Sequence, residues 1–243
     1  MGTKKRVLAV VLVFTLIFAA IGAVYCQKHS ASTKREQILG LPAKTVVLTI
    51  DDGPDPRFTP KILSLLEKYH AHATFFVIGD HAVQYPELVQ QEVAAGHEIG
   101  NHTMTHLHLE DVDAATVQTE ITMAQQTLQA ITGTEPSWFR PPRGWLSPAA
   151  QKVVDAADLR RAYWTFCLEH HDSPTPQLMA ERAYEKIQHT EGAILLMHDG
   201  VLDRTRSIQA LEILLEDLQR DGYRVISLQE ALSNPGAKFA LSS

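Results

Sequence analysis

The chain has 243 residues, of which 45% are hydrophobic and 21% are charged, a composition that excludes a disordered or collagen-like chain. Two cysteines are too few for a disulfide framework. The 22 basic and 28 acidic side chains give a formal net charge of -6. This acidic balance argues against a nucleic-acid partner, because nucleic-acid binders rely on a basic surface.

The first 40 residues differ from the rest of the chain in charge and hydropathy. They contain six basic residues and one acidic residue, whereas residues 41–243 contain 16 basic and 27 acidic residues, a net charge of -11. Lys4, Lys5 and Arg6 precede an uncharged run of 19 residues at 7–25. Because about 20 apolar residues cross a bilayer as a helix, this run predicts an N-terminal transmembrane helix.

A cleaved signal peptide is the alternative for this segment, although its apolar region is typically only about 7–15 residues long. Ala20-Ile21-Gly22 offers a weak cleavage site, and the length of the run favours an uncleaved anchor over residues 1–26. A polar tether follows over residues 27–43. Because long domains translocate largely regardless of charge, we expect a single-pass protein of the cell membrane with its large part extracytoplasmic. Cleavage would make it a secreted protein.

From residue 44 onward, short β-rich runs alternate with helical patterns. The runs predict strands at residues 45–50, 73–78, 97–100, 137–139, 162–166, 193–197 and 224–227. The helical patterns cover residues 59–69, a stretch that opens near Pro86, and residues 113–131, 148–157, 177–189 and 207–221. This alternation is typical of an α/β fold with a parallel sheet, either open and doubly wound or closed into a barrel.

Ionisable residues follow five of these strands, at the point where each strand ends. They are Asp51 and Asp52 after the first strand, His102 and His106 after the third, Arg140 after the fourth, Cys167 to Asp172 after the fifth, and His198 and Asp199 after the sixth. In either parallel arrangement the carboxyl ends of the strands meet at one edge, where such folds build active sites. The sequence therefore predicts one polar site at that edge.

His102 and His106 are four residues apart, which places them on one face of any helical turn. Two histidines and a carboxylate, with an open position for water, are typical of a catalytic zinc site, and Asp51 or Asp52 can supply the carboxylate. The same ligand set serves iron oxygenases, although those sites usually lie in β-rich folds. A surface pair among the 12 histidines of the chain is the other alternative.

Four segments resemble motifs of one family, the polysaccharide deacetylases of NodB type (carbohydrate esterase family 4). Thr49-Ile50-Asp51-Asp52-Gly53-Pro54 is similar to the first motif, His102-Thr103-Met104-Thr105-His106 to the second, Arg140-Pro141-Pro142-Arg143-Gly144 to the third and Leu195-Leu196-Met197-His198-Asp199 to the fifth. The resemblance covers about residues 44–231, which we predict to be the catalytic domain, and leaves a tail at 232–243. It implies a distorted (β/α) barrel with parallel strands, preceded here by the transmembrane helix.

The resemblance also implies metal-dependent removal of acetyl groups from an N-acetylated glycan, such as peptidoglycan or a chitin-like polymer. Whether the acetyl group is on nitrogen or oxygen stays open. Asp52, His102 and His106 would bind the divalent metal, commonly zinc. Asp51 would act as the general base toward the attacking water, with Arg140 keeping it ionised and oriented.

His198 would then be the general acid that protonates the departing amine. Leu196 would line the pocket for the acetyl methyl group. The expected partners are a glycan and, through the N-terminal helix, the membrane; no protein partner can be inferred.

Two positions depart from the family pattern. Arg143 stands where the third motif usually has an aromatic residue, and its side chain could contact the glycan while its backbone N–H keeps the oxyanion contact. The fourth motif, Asp-x-x-Asp-Trp, is missing: the chain has Cys167-Leu168-Glu169-His170-His171 there. Glu169 and Asp172 are the candidate replacements for the carboxylate that orients His198, and a plain polar loop is the alternative. A non-catalytic glycan-binding relative is therefore the second functional hypothesis.

Overall fold

The computed structural model describes residues 35–169 and 175–241, whose centre is a parallel sheet. The strands, in chain order, are β1 (Glu36–Leu39), β2 (Thr45–Asp51), β3 (Thr74–Val77), β4 (Glu98–Asn101), β5 (Trp138–Phe139), β6 (Arg160–Arg161), β7 (Phe166–Cys167), β8 (Ile194–His198), β9 (Arg224–Ile226) and β10 (Lys238–Leu241). Strands β2 to β9 form the sheet in the order β6-β5-β4-β3-β2-β8-β7, and β9 also pairs with β2. Every pairing within this sheet is parallel, so the predicted α/β fold is confirmed.

The sheet is open: within the described ranges, its terminal strands β6 and β7 do not pair with each other. Strand β2 lies at the centre, and all seven of its residues are buried. Such continuous burial suits its apolar sequence, because a strand of a parallel sheet is covered on both faces. In the register of β2, Asp51 lies beside Phe76 of β3 and beside His198 of β8. The first and fifth motifs are therefore neighbours at the carboxyl edge.

Helices connect the strands and bury one face each. They are α1 (Thr59–Lys68), α2 (Gly79–Gln84), α3 (Pro86–Ala94), α4 (Ala114–Thr132), α5 (Pro148–Ala156), α6 (Pro176–Gln188), α7 (Thr205–Arg220) and α8 (Leu228–Leu232). Helix α4 begins at Asp113, whose carboxylate accepts the Thr116 N–H, and ends at Gly133 in a left-handed conformation. Leu211, Leu214 and Leu218 of α7 are fully buried at helical spacing, which packs this helix into the main core.

A second sheet lies outside the range predicted for the catalytic domain. Strands β1 and β10 pair in antiparallel fashion, the first within the predicted tether and the second within the predicted tail. Ile38 of β1 is fully buried, and its N–H donates to the Gly192 carbonyl at 2.8 Å. The folded unit is therefore longer than residues 44–231 at both ends.

The strand predicted over residues 162–166 differs from the observed structure, in which β6 precedes this stretch and β7 overlaps only its end. The reason lies in the backbone carbonyls of Ala162 and Tyr163. The Arg140 guanidinium donates to both of them at 3.0 Å, from Nε and Nη2 respectively. These carbonyls bind a buried cation, and they are not part of a ladder with a neighbouring strand.

Some predictions concern residues outside the described ranges. The N-terminal anchor or signal peptide at residues 1–26 is one of them, as are His170, His171 and Asp172 of the loop after β7. Among the helices from residue 35 onward that the structure describes, none combines the length and apolarity needed to cross a membrane.

Candidate active site

Asp51 and Asp52 reach one site although they are adjacent in sequence. Neighbours in a strand face opposite sides, but Asp52 has a φ of 79° and ends the strand. The backbone packs closely behind this bend, since a Cβ on Gly200 would lie 2.1 Å from the Asp52 carbonyl oxygen. A Cβ on Gly53 would similarly meet Asp199 Oδ1 at 2.3 Å. Glycine at both positions therefore allows the two carboxylates to converge.

Asp52, His102 and His106 form a compact group of metal-competent atoms. His106 Nε2 lies 3.2 Å and His102 Nε2 3.5 Å from Asp52 Oδ1, and one ligand atom from each of the three residues lies within 4.8 Å of the others. Burial alone would raise the pKa of Asp52, but hydrogen bonds to His102 and His106 and the charges of His102 and His198 lower it well below its usual range. Asp52 therefore contributes an ionised carboxylate to this group.

The two histidines converge from a loop and not from a helical turn. Thr103 and His106 have φ values of 69° and 60°, and the Thr103 hydroxyl accepts the His106 N–H at 3.1 Å. His102 Nδ1 lies 2.8 Å from the Arg140 carbonyl oxygen, so Nδ1 carries the proton and Nε2 is free to ligate. This donor set fits a divalent metal: two imidazole nitrogens, one oriented by a backbone carbonyl, and a carboxylate.

Asp51 is held by a buried arginine. Arg140 is fully buried, and its Nη1 donates to Asp51 Oδ1 at 2.7 Å and to the Thr49 hydroxyl at 2.9 Å. Its guanidinium also stacks over the Phe76 ring, 4.1 Å from the centroid. The second oxygen of Asp51, Oδ2, lies 3.8 Å from His102 Nε2. One carboxylate oxygen is thus fixed by the cation, while the other faces the metal-competent group.

Glu169 is the carboxylate that contacts His198. Its Oε2 lies 2.6 Å from His198 Nδ1, and its Oε1 accepts the backbone N–H of His198 at 3.2 Å. Burial by itself would lower the pKa of His198, yet hydrogen bonds to Cys167 and Glu169 and the charge of Glu169 raise it well above its usual value. Burial also raises the pKa of the Cys167 thiol, so the thiol stays neutral and Glu169 supplies the negative charge.

Arg204 connects the two halves of the site and was not predicted from the sequence. It is buried, with Nη1 3.4 Å from Glu169 Oε1 and Nη2 3.4 Å from Asp52 Oδ2. Its Nε donates to the Gly200 carbonyl at 3.0 Å. The sequence carries one usable signal, a basic residue placed six positions after His198 and directly before helix α7, but such residues usually face solvent.

The two predicted substrate-binding residues occupy different environments. Leu196 lies within β8, is buried, and is in register with Thr49 of β2 and Cys167 of β7. The Arg143 side chain is 54% exposed and reaches His108 Nδ1 at 3.2 Å and Glu110 Oε1 at 3.7 Å. Arg143 has a φ of 59°, a left-handed conformation. Substrate contact by either residue stays a prediction.

The carboxyl edge of the sheet therefore carries the groups that metal-dependent hydrolases combine: a three-residue ligand set, a carboxylate beside it and a histidine paired with a second carboxylate. Residues 40–162 match the sequence model of a family described as polysaccharide deacetylase. A peptidoglycan-N-acetylglucosamine deacetylase of Bacillus cereus (strain ATCC 14579) is 35% identical over 78% of this chain and 88% of its own length. The chain belongs to the polysaccharide deacetylase family.

Solved structures give the same assignment and show that the family includes proteins without activity. An acetyl xylan esterase of family 4 from Clostridium thermocellum, in complex with a cobalt ion, superposes with a TM-score of 0.70 at 30% identity, over 77% of this chain and 89% of that one. A family 4 pseudoenzyme from Bacillus anthracis gives a TM-score of 0.69 at 28% identity, over 77% of this chain and 64% of that one.

Proposed function

We propose that the chain is a metal-dependent deacetylase that removes N-acetyl groups from a glycan, either peptidoglycan or a chitin-like polymer of N-acetylhexosamine, and releases acetate. One observation carries the proposal. The Asp51–Arg140 pair and the His198–Glu169 pair lie at the same edge of the sheet as the Asp52, His102 and His106 group, and Asp51 Oδ2 lies 3.8 Å from His102 Nε2. A base and an acid thus lie at the same edge as a ligand set.

Asp52, His102 and His106 would hold the divalent metal, and two histidines with a carboxylate are a typical ligand set for Zn²⁺. When bound, a divalent ion lowers the pKa of water and polarises a carbonyl group. Asp51, with Oδ1 fixed by Arg140, takes a proton on Oδ2 from the attacking water. A carbon–oxygen bond forms at the acetamide carbon, and the carbon–nitrogen bond then breaks.

His198 donates the proton that the leaving nitrogen needs, from Nε2, because Nδ1 is occupied by Glu169. The products are acetate and a free sugar amine, so the water's oxygen and both transferred protons are accounted for. The backbone N–H of Arg143 would stabilise the oxyanion, and Leu196 would form part of the wall around the acetyl methyl group.

The second candidate is a non-catalytic glycan-binding protein. The missing fourth motif and the similarity to a family 4 pseudoenzyme favour it. Against it stands the contact of Glu169 with His198, since this carboxylate takes the orienting position that the missing motif would have filled.

An acetate-release screen distinguishes the two candidates. The purified full chain, loaded with one equivalent of zinc, is offered peptidoglycan, chitin oligomers and acetyl xylan. Release that a chelator abolishes and zinc restores supports the deacetylase, and the preferred polymer separates N- from O-deacetylation. Glycan binding without acetate release, at full metal occupancy, contradicts the deacetylase and supports the second candidate.

We place the protein in the cell membrane, anchored by residues 7–25 with residues 41–243 outside the cytoplasm. The uncharged 19-residue run supports the anchor, and the large domain after it is expected to translocate largely regardless of charge. Mass spectrometry of the N-terminus of the cell-associated full chain tests it. An intact N-terminus in the membrane fraction supports the anchor, whereas a mature chain that starts after residue 20 supports the cleaved signal peptide.

A further inference from the structure

Cys167, Glu169 and His198 form a second group of metal-competent side chains beside the first. One ligand atom from each lies within 4.8 Å of the other two. We propose that these three residues bind a second divalent ion, such as Zn²⁺, and that this ion inhibits deacetylation because it binds His198, the general acid. The inhibitory effect rests on the proposed function, whereas the binding site itself does not.

The backbone holds the three ligand atoms together. Cys167 of β7 is in register with Leu196 of β8, and the Leu168 N–H donates to the Leu196 carbonyl at 2.8 Å. This pairing places Cys167 and Glu169 next to His198, two residues after Leu196. Cys167 Sγ lies 3.4 Å and His198 Nδ1 2.6 Å from the same oxygen, Glu169 Oε2. The sulfur, oxygen and nitrogen are therefore preorganised by strand pairing.

The ligand chemistry favours zinc over magnesium or calcium. Zinc takes cysteine sulfur, histidine nitrogen and carboxylate oxygen, usually with four ligands, whereas magnesium and calcium prefer oxygen ligands alone. Three protein ligands leave one position for water. Cys167 is a free thiol that is partly accessible, so it can lose its proton when a metal binds.

Arg204 opposes a cation at both sites, and a second ion also meets the charge of the first. Arg204 lies 3.4 Å from Glu169 Oε1 and 3.4 Å from Asp52 Oδ2, and its charge opposes a cation at either place. It leaves Glu169 Oε2 available, because it contacts the other oxygen. Two ions on either side of Arg204 also repel each other, so the second site fills only at excess metal.

The second ion removes the acid function through the ring of His198. A histidine donates a proton from Nε2 only when Nδ1 is protonated as well, because only the imidazolium is a strong enough acid. A metal at Nδ1 takes the place of that proton and breaks the hydrogen bond with Glu169 Oε2. Excess zinc therefore blocks protonation of the leaving nitrogen.

Cobalt titration of the full, metal-free chain in detergent tests the binding site without measuring activity. Co²⁺ serves as the spectroscopic probe, because a thiolate ligand adds a charge-transfer band in the near ultraviolet. The wild type should bind two equivalents, the second with this band. Cys167→Ser should bind one equivalent without the band, and retention of that first equivalent shows that the variant folds. Cys26→Ser, which removes the chain's other cysteine, is the matched control and should behave as the wild type.

If the wild type binds only one equivalent of Co²⁺ and shows no charge-transfer band, the second site is refuted. A charge-transfer band that persists in Cys167→Ser also refutes it. The inhibitory role is tested by acetate release with excess Zn²⁺, each variant being normalised to its own rate at one equivalent. The rate of acetate release by the wild type should fall about 100-fold, which is the lower end of what a general acid contributes. The rate of Cys167→Ser should fall far less. Equal losses contradict the inhibitory role. Absence of acetate in every sample refutes the proposed function and leaves the cobalt result intact.

Discussion

Glu169 Oε2 lies 2.6 Å from His198 Nδ1, although the two residues are 29 positions apart and belong to different strand ends. The carboxylate reaches the ring because β7 and β8 are paired in parallel just before it. Glu169 Oε1 also accepts the backbone N–H of His198 at 3.2 Å. The two contacts together fix the orientation of the Glu169 side chain. This pair is the strongest local argument for a working acid in a chain that lacks the family's fourth motif.

Glu169→Gln should lower kcat by about 100-fold or less and shift the alkaline limb of the pH profile to lower pH. Hydrogen bonds to Cys167 and Glu169 and the charge of Glu169 hold the pKa of His198 well above its usual value, so the protonated acid persists at alkaline pH and is lost as pH rises through that raised pKa. Without the charge, the ring deprotonates at lower pH. The measurement is kcat against pH. Glu216→Gln, an exposed change on α7, is the control, and an unshifted profile in Glu169→Gln would rule out this role.

Asp51→Asn should lower kcat by about 100- to 10,000-fold, the contribution of a general base. The change keeps the side-chain shape, and the metal set of Asp52, His102 and His106 is untouched, so zinc stoichiometry should stay at its wild-type value. Acetate release and metal content are measured on the same sample. Asp111→Asn, an exposed carboxylate on the loop after His106, is the matched control. Retained activity in Asp51→Asn would show that another group takes the proton.

Asp199→Asn should flatten the dependence of stability on pH between about pH 4 and pH 7. Asp199 is fully buried, and burial raises its pKa to about 7 from an ordinary value of 3.8. Between these values the folded chain keeps a proton that the unfolded chain has lost, so the free energy of unfolding falls as pH rises, by up to about 4 kcal/mol.

Urea unfolding of the metal-free full chain across this pH range measures the effect. Asn removes the titration while keeping a group that can bond the Thr59 hydroxyl. A slope of unfolding free energy against pH that is the same in both proteins would contradict the prediction.

Gly192→Ala should destabilise the chain far more than Gly133→Ala. Both glycines have left-handed backbones, with φ values of 58° and 74°, so both substitutions cost about 1–2 kcal/mol in backbone strain. A Cβ on Gly192 would also lie 1.6 Å from the Ile38 carbonyl oxygen, whereas no atom lies within 4 Å of a Cβ on Gly133. The clash adds about 1–3 kcal/mol, because β1 must move. Thermal unfolding of both variants measures the difference, and equal losses would count against the clash.

Local sequence was enough to predict most of the helices and strands. Helices α1, α4 and α7 and strands β2 and β8 lie within a few residues of their predicted ranges, because their apolar periodicity is a local property of the sequence. Strand β1 was missed, since a four-residue strand in a polar segment acquires its order only by pairing with β10, about 200 positions away.

By itself, the sequence determined the family and the identity of the residues that can ligate a metal or move a proton, because residue type and spacing are all that these motifs need. Only the tertiary structure decided which side chains contact one another. Glu169 and not a motif aspartate pairs with His198, Arg204 lies between Asp52 and Glu169, and Arg140 takes the carbonyls that would have continued a strand. Each of these contacts depends on strand register and loop path, which arise from packing the whole sheet and not from any local pattern.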